Sequence, residues 1–182
     1  MTTNSATLPP LARTWFWPAL LAVAAIGGSW ALACVTPFAA FAAMLAATES
    51  RRTAFGTMAL IWFANQAVGV VALGYPLDAH SVGWGVAIGV AALLGTAAAA
   101  AVAQTSLQRG LRLVLAFAAA FAVYEIALAL LAAATGELAE FAPATVARLA
   151  ALDAAWLAAL VVLREALALM GWRNLGRRRQ AA

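Results

Sequence analysis

Residues 15–48 read WFWPALLAVAAIGGSWALACVTPFAAFAAMLAAT, and the way this run divides decides the fold. At 34 residues it is too long for one ordinary membrane span of ~20. Thr36-Pro37 is where it breaks, because proline cannot donate to the helix ladder and disfavours helical geometry in the residue before it. The division predicts a first helix near 15–34 and a short second one near 37–49. At 1.5 Å per residue the second is only ~20 Å long. It must tilt little, be sheltered by its neighbours, or join a turn embedded in the membrane.

The whole chain has the same character. Of its 182 residues, 66% are hydrophobic and 10% charged, against roughly 25% charged in soluble domains. Mean hydropathy is +0.93. So small a soluble fold has too little interior for that much apolar surface, and a disordered or nucleic-acid-binding chain needs far more charge. The fold class is an all-α integral membrane protein. A pI of 10.6 would suit a polyanion, but no lysine is present and the 11 arginines sit mostly at the ends of apolar runs. That placement speaks of orientation in a lipid bilayer, with no nucleic acid as partner. The 53 alanines favour close helix packing and, with the absence of lysine, point to a GC-rich bacterial genome and the bacterial cytoplasmic (inner) membrane. Ala31-Leu32-Ala33-Cys34 resembles a lipoprotein cleavage site, but its first position is small and apolar sequence resumes at once, so cleavage is not expected.

Four further helices follow. Glu49-Ser50-Arg51-Arg52 forms a turn, and a helix near 53–73 ends at Gly74-Tyr75-Pro76. The others are expected near 81–103, 111–134 and 145–170, before a basic tail over 171–182. The tail, the 51–52 turn and the 109–112 turn are basic, whereas the loops with Asp78 and His80 and with Glu137 and Glu140 are neutral or acidic. By the positive-inside rule the expected architecture is a single domain, a compact bundle of six transmembrane helices with both termini cytoplasmic. Trp15, Trp17 and Trp172 then fall at the inner interface and Trp84 at the outer one.

Polar side chains within spans are costly, so each is a functional candidate. Asn65 and Gln66 lie about nine residues below the outer end of the third helix, Glu125 about ten below that of the fifth, and Asp153 about eight below that of the sixth. All are therefore roughly 12–15 Å deep. This level predicts an outward-opening substrate pocket of Asn65, Gln66, Glu125 and Asp153, with Trp62, Tyr124 and Trp156 as aromatic walls. The alternative is interhelical hydrogen bonding without a ligand. Arg164 shares a helix face with Asp153 but sits ~16 Å away, so it snorkels to the interface or pairs with another helix. Tyr75, Asp78 and His80 either cap the pocket or form a solvated turn. Small residues at four-residue spacing, Ala24/Gly28 and Ala39/Ala43/Ala47, allow close helix approach or partner docking.

Enzyme motifs are missing: no HExxH, GxSxG, P-loop or lysine for a Schiff base is present. No catalytic residues are assigned, and the chain is not expected to be an enzyme. Cys34 is the single cysteine and His80 the single histidine, so neither a disulfide, a metal site nor a redox cofactor is expected.

The stretch Thr36-Pro37-Phe38-Ala39-Ala40-Phe41-Ala42-Ala43-Met44-Leu45-Ala46-Ala47, followed by Arg51-Arg52 and Phe55-Gly56, is similar to the short second helix, basic turn and small-residue third helix of the substrate-binding subunits (S components) of energy-coupling factor vitamin transporters. The six-helix, alanine-rich architecture resembles that family over most of the chain. It departs in lacking the glycines usual before the turn, and the family's Ala-x-x-x-Ala docking pattern appears only in relaxed forms such as Ala24/Gly28. The resemblance implies a vitamin or vitamin precursor bound from outside, a transmembrane coupling subunit and two ATPase subunits. The pocket residues come from the depth argument, not from the family. Two other readings stand beside it: a non-catalytic scaffold or assembly protein of a larger membrane complex, and a small proton-coupled secondary transporter using Glu125 and Asp153 as proton carriers.

Overall fold

The computed structural model describes residues 10–31 and 36–170, and these are all-helical, without strands. Six helices follow one another: α1 (Pro10–Ala31), α2 (Phe38–Thr48), α3 (Arg51–Ala67), α4 (Ala79–Ala103), α5 (Arg109–Thr135) and α6 (Pro143–Leu169). A π-helical turn, Val68–Ala72, extends α3, and a 3-10 turn, Leu138–Phe141, precedes α6. Four segments are long and apolar enough to cross a membrane: Arg51–Ala72, Ala79–Ala103, Arg109–Thr135 and Pro143–Leu169. Large apolar side chains such as Phe63, Val90, Leu130 and Val162 are exposed on the outward faces, which suits hydrocarbon rather than water.

The helix ends have local causes. Ser50 caps α3 by accepting from the Thr53 amide, so that helix begins at Arg51, two residues before the expected start. Asp78 caps α4 through the Ser81 amide at 2.7 Å, placing its start at Ala79 rather than residue 81. Pro143 opens α6, where its missing N–H has no intrahelical acceptor to lose. Gly136, at φ +83°, ends α5 in the left-handed conformation. The helix α1 starts at Pro10 rather than near Trp15 and runs through Pro18. Its expected end at residue 34, Cys34 and the basic tail with Trp172 lie outside the described residues.

The short helix α2 is the centre of the molecule. It packs against all five other helices. Every residue from Phe38 to Leu45 is buried, none more than 3% exposed. An 11-residue helix cannot span hydrocarbon, and shelter by its neighbours resolves the expected mismatch. Ala39 and Ala43 are enclosed here, so they serve close helix approach instead of an outer docking face. The most extensive contact is α4 with α5. Gly95 permits it, since a Cβ there would stand 3.0 Å from the Ala120 carbonyl oxygen. By contrast, α6 is peripheral, burying only Leu157 and Leu160.

Trp17 departs from the expected aromatic belt. It is fully buried and donates through Nε1 to Thr48 Oγ1 at 3.0 Å, and Thr48 Oγ1 in turn donates to the Met44 carbonyl at 2.7 Å. An indole with an internal acceptor is satisfied in the core and has no need of the interface. Trp15, 57% exposed, retains an outward position. The Trp17–Thr48 bond also places the N-terminal part of α1 beside the α2–α3 turn. The N-terminal part of α1, Arg51, Arg52, Arg109, Arg112 and Arg164 therefore share one end of the bundle. At the other end His80 lies 3.7 Å from Glu137, joining the start of α4 to the loop after α5.

Candidate functional site

The site begins at the break between α1 and α2. A helix starting in the middle of a bundle leaves its first amides without water. Pro37 occupies the cap position of α2 and supplies no side-chain bond. The first amides find other partners: Phe38 N–H donates to the Thr36 carbonyl at 2.8 Å, and Ala40 N–H to Asp153 Oδ1 at 3.0 Å. Asp153 thus caps α2 from α6. Thr36 Oγ1 donates to Asn65 Oδ1 at 2.6 Å, tying the same break to α3.

Around this junction lies a cavity of about 180 Å³. Thr36, Asn65, Tyr124, Glu125 and Asp153 line its polar part, and Leu128, Phe141 and Leu149 contribute apolar wall. Glu125, on α5, is buried at 8% exposure, and its Oε2 has no hydrogen-bond partner among the described residues. It shares the cavity wall with Tyr124 and Asp153. The Tyr124 ring packs against Phe38 with centroids 5.7 Å apart. A buried carboxylate with one oxygen unmatched has room for a proton or a cation, and the neighbouring ring faces suit a cation.

A second cavity, about 470 Å³, adjoins the first toward the His80 end. Gln66, Tyr75, His80, Trp84 and Gly85 line it, and Asn65 and Ile88 line both cavities. Its floor includes Gly69, inside the π-helical turn, where the Tyr75 amide reaches the Gly69 carbonyl at 3.0 Å. Wider π turns recur beside functional sites. Asp78 lies in the α4 cap, where the Ser81 amide holds its carboxyl below the ordinary value of 3.8.

Of the seven residues proposed from sequence, Asn65, Tyr124, Glu125 and Asp153 converge on the smaller cavity, and Gln66 lines the larger. Trp62 and Trp156 line neither. Trp62 donates through Nε1 to the Gly85 carbonyl at 2.8 Å and lies so close to Gly89 that a Cβ there would stand 2.5 Å from Cε2. Trp156 covers Gly28 of α1, where a Cβ would stand 2.7 Å from Cζ2, and packs on Phe41 with centroids 6.0 Å apart. Each indole thus fills the space left by a glycine on the facing helix. Thr36, Ile88, Leu128 and Phe141 are wall residues that the depth argument missed. Thr36 carried a signal, a hydroxyl directly before the helix-breaking proline; the apolar residues carried none.

In comparisons with protein-family models, with curated proteins and with solved structures, nothing matches this chain.

Proposed function

We propose that this chain is a membrane-embedded substrate-binding subunit for uptake of a small cationic molecule of vitamin or vitamin-precursor type. The observation that carries the reading is Glu125: a buried carboxylate with an unpartnered oxygen, facing a cavity that also holds Tyr124, Asn65 and Asp153. A cationic heterocycle would pair with Glu125 and lie against the Tyr124 and Phe38 rings. Asn65 and Ile88, shared by the two cavities, would form the movable partition through which a ligand reaches it from the His80 end. With the basic end cytoplasmic, that entrance would face outward, and the six helices, α2 sheltered among the others, would leave both termini on the cytoplasmic side of the bacterial inner membrane. The chain has no P-loop, so the reading assigns ATP hydrolysis to partner ATPases joined through a transmembrane coupling subunit.

A second reading, a scaffold within a larger membrane complex, is favoured by Asp153, Trp62 and Trp156, which all carry packing duties. Native mass spectrometry of the protein gently extracted from its host separates the two. A co-purifying heterocyclic cation together with a membrane subunit and ATPases supports the binding subunit. A large stoichiometric complex without a small molecule supports the scaffold. Uptake that collapses with the pH gradient while ATP is maintained would replace both with a proton-coupled carrier.

A further inference from the structure

At the end of the bundle opposite His80, a cavity of about 400 Å³ opens between α2, α5 and α6. Three guanidinium groups line it, Arg109, Arg112 and Arg164, with Glu165 as the one carboxylate among the lining residues. That carboxylate is shared: its Oε1 takes Arg109 Nη2 at 3.2 Å and Arg164 Nη1 at 3.1 Å. Among the described residues Arg112 reaches only the Thr105 carbonyl, at 3.2 Å. Positive charge in the cavity therefore exceeds negative.

Two further features point the same way. The Nε of Arg164 is buried without an acceptor among the described residues, although a guanidinium donor withdrawn from water requires one. The 27-residue helix α5 begins at the cavity rim with no side-chain cap, and Gly110 of its first turn faces open space. Its free amides and dipole add to the attraction for an anion. Deeper in, Met44, Leu113 and Val161 make the wall apolar.

We infer that this cavity binds a phosphate group, held by Arg109, Arg112 and Arg164 and carried either by an anionic lipid headgroup or by a free phosphate ion. Guanidinium forks match phosphate oxygens bidentately, and basic pockets between membrane helices receive anionic headgroups in this way. The inference is independent of the carboxylate site, which lies toward the other end of the bundle.

The test uses the full-length protein, delipidated in a maltoside detergent and titrated separately with phosphatidylglycerol, phosphatidylcholine and inorganic phosphate, with bound adducts read by native mass spectrometry. Retention of phosphatidylglycerol over phosphatidylcholine, with no displacement by inorganic phosphate, assigns the lipid headgroup; saturable binding of inorganic phosphate assigns the free ion. In either case Arg112→Gln and Arg164→Gln should weaken retention at least tenfold. Arg109→Gln, at a side chain 65% exposed, gives a variant whose fold does not depend on the buried contacts and should weaken it as well. Arg51→Gln, outside the cavity, should leave it within twofold. Equal loss in Arg51→Gln and the cavity variants, equal retention of phosphatidylglycerol and phosphatidylcholine with no phosphate binding, or binding of none of the three probes, would overturn the inference.

Discussion

Replacing Asp153 with alanine should destabilise the protein through α2 rather than through α6, the helix that carries the residue. Asp153 Oδ1 accepts the Ala40 amide at 3.0 Å, and α2 is buried throughout its first two turns. The Ala40 residue is itself 0% exposed, so its amide has no open access to bulk solvent if the carboxylate is removed. A buried donor left unsatisfied costs about 1–3 kcal/mol, and loss of a helix cap typically about 1 kcal/mol; the two describe the same bond and do not add. The expected loss for Asp153→Ala is therefore about 2 kcal/mol, which lowers the midpoint of thermal unfolding by roughly 4–8 °C in a chain of this size. Asp153→Asn keeps an acceptor at Oδ1, so it should retain more than half of that stability. The assay is thermal unfolding in detergent followed by tryptophan fluorescence, with Trp156 three residues along α6 as a local reporter. Equal destabilisation by Asn and Ala, or none by Ala, would refute the idea that Asp153 caps the buried helix.

Three further outcomes follow from the contacts. Gly89→Ala should destabilise by about 1–3 kcal/mol, because its Cβ would meet the rigid Trp62 indole 2.5 Å away, and melting together with a shift in Trp62 emission would report it. Gly56→Ala, whose Cβ meets open space, is the control and should not lower the melting temperature. Trp62→Phe removes the bond to the Gly85 carbonyl while leaving most of the aromatic packing, so a loss of about 1 kcal/mol is expected in the same assay. The Asp78 carboxyl is held below its ordinary value, so its contribution exists above the unfolded-state pKa and disappears as pH falls through the native one. Protection of the Ser81 amide, measured relative to its intrinsic exchange rate, should fall as pH drops below the ordinary carboxylate value and should show no such fall in Asp78→Asn.

The elements were legible because their signals are local. Prolines 37, 76 and 143, the glycines at 74 and 136 and the polar turns mark where helices stop and start, and every expected helix has a counterpart among the described residues. Differences of two residues at several starts arose where caps such as Ser50 and Asp78 outweighed the apolar pattern. Depth along a helix was also readable, which is why Asn65, Glu125 and Asp153 share a cavity. Rotation about the helix axis was not. It depends on which neighbour leaves room: Gly89 draws Trp62 onto α4, and Gly28 draws Trp156 onto α1. Trp17 turned inward because Thr48, 31 positions away, offered an acceptor. The π-helical turn after Ala67 had no sequence signal beyond Gly69.

The most direct test of the account concerns Glu125, whose unpartnered oxygen carries the functional reading. Native mass spectra of the wild-type protein and of Glu125→Gln, extracted from the same host, should show a small organic cation on the first and at least tenfold less on the second, with unchanged melting temperature. Equal occupancy in the two proteins, or a variant that loses stability while keeping its ligand, would contradict the account.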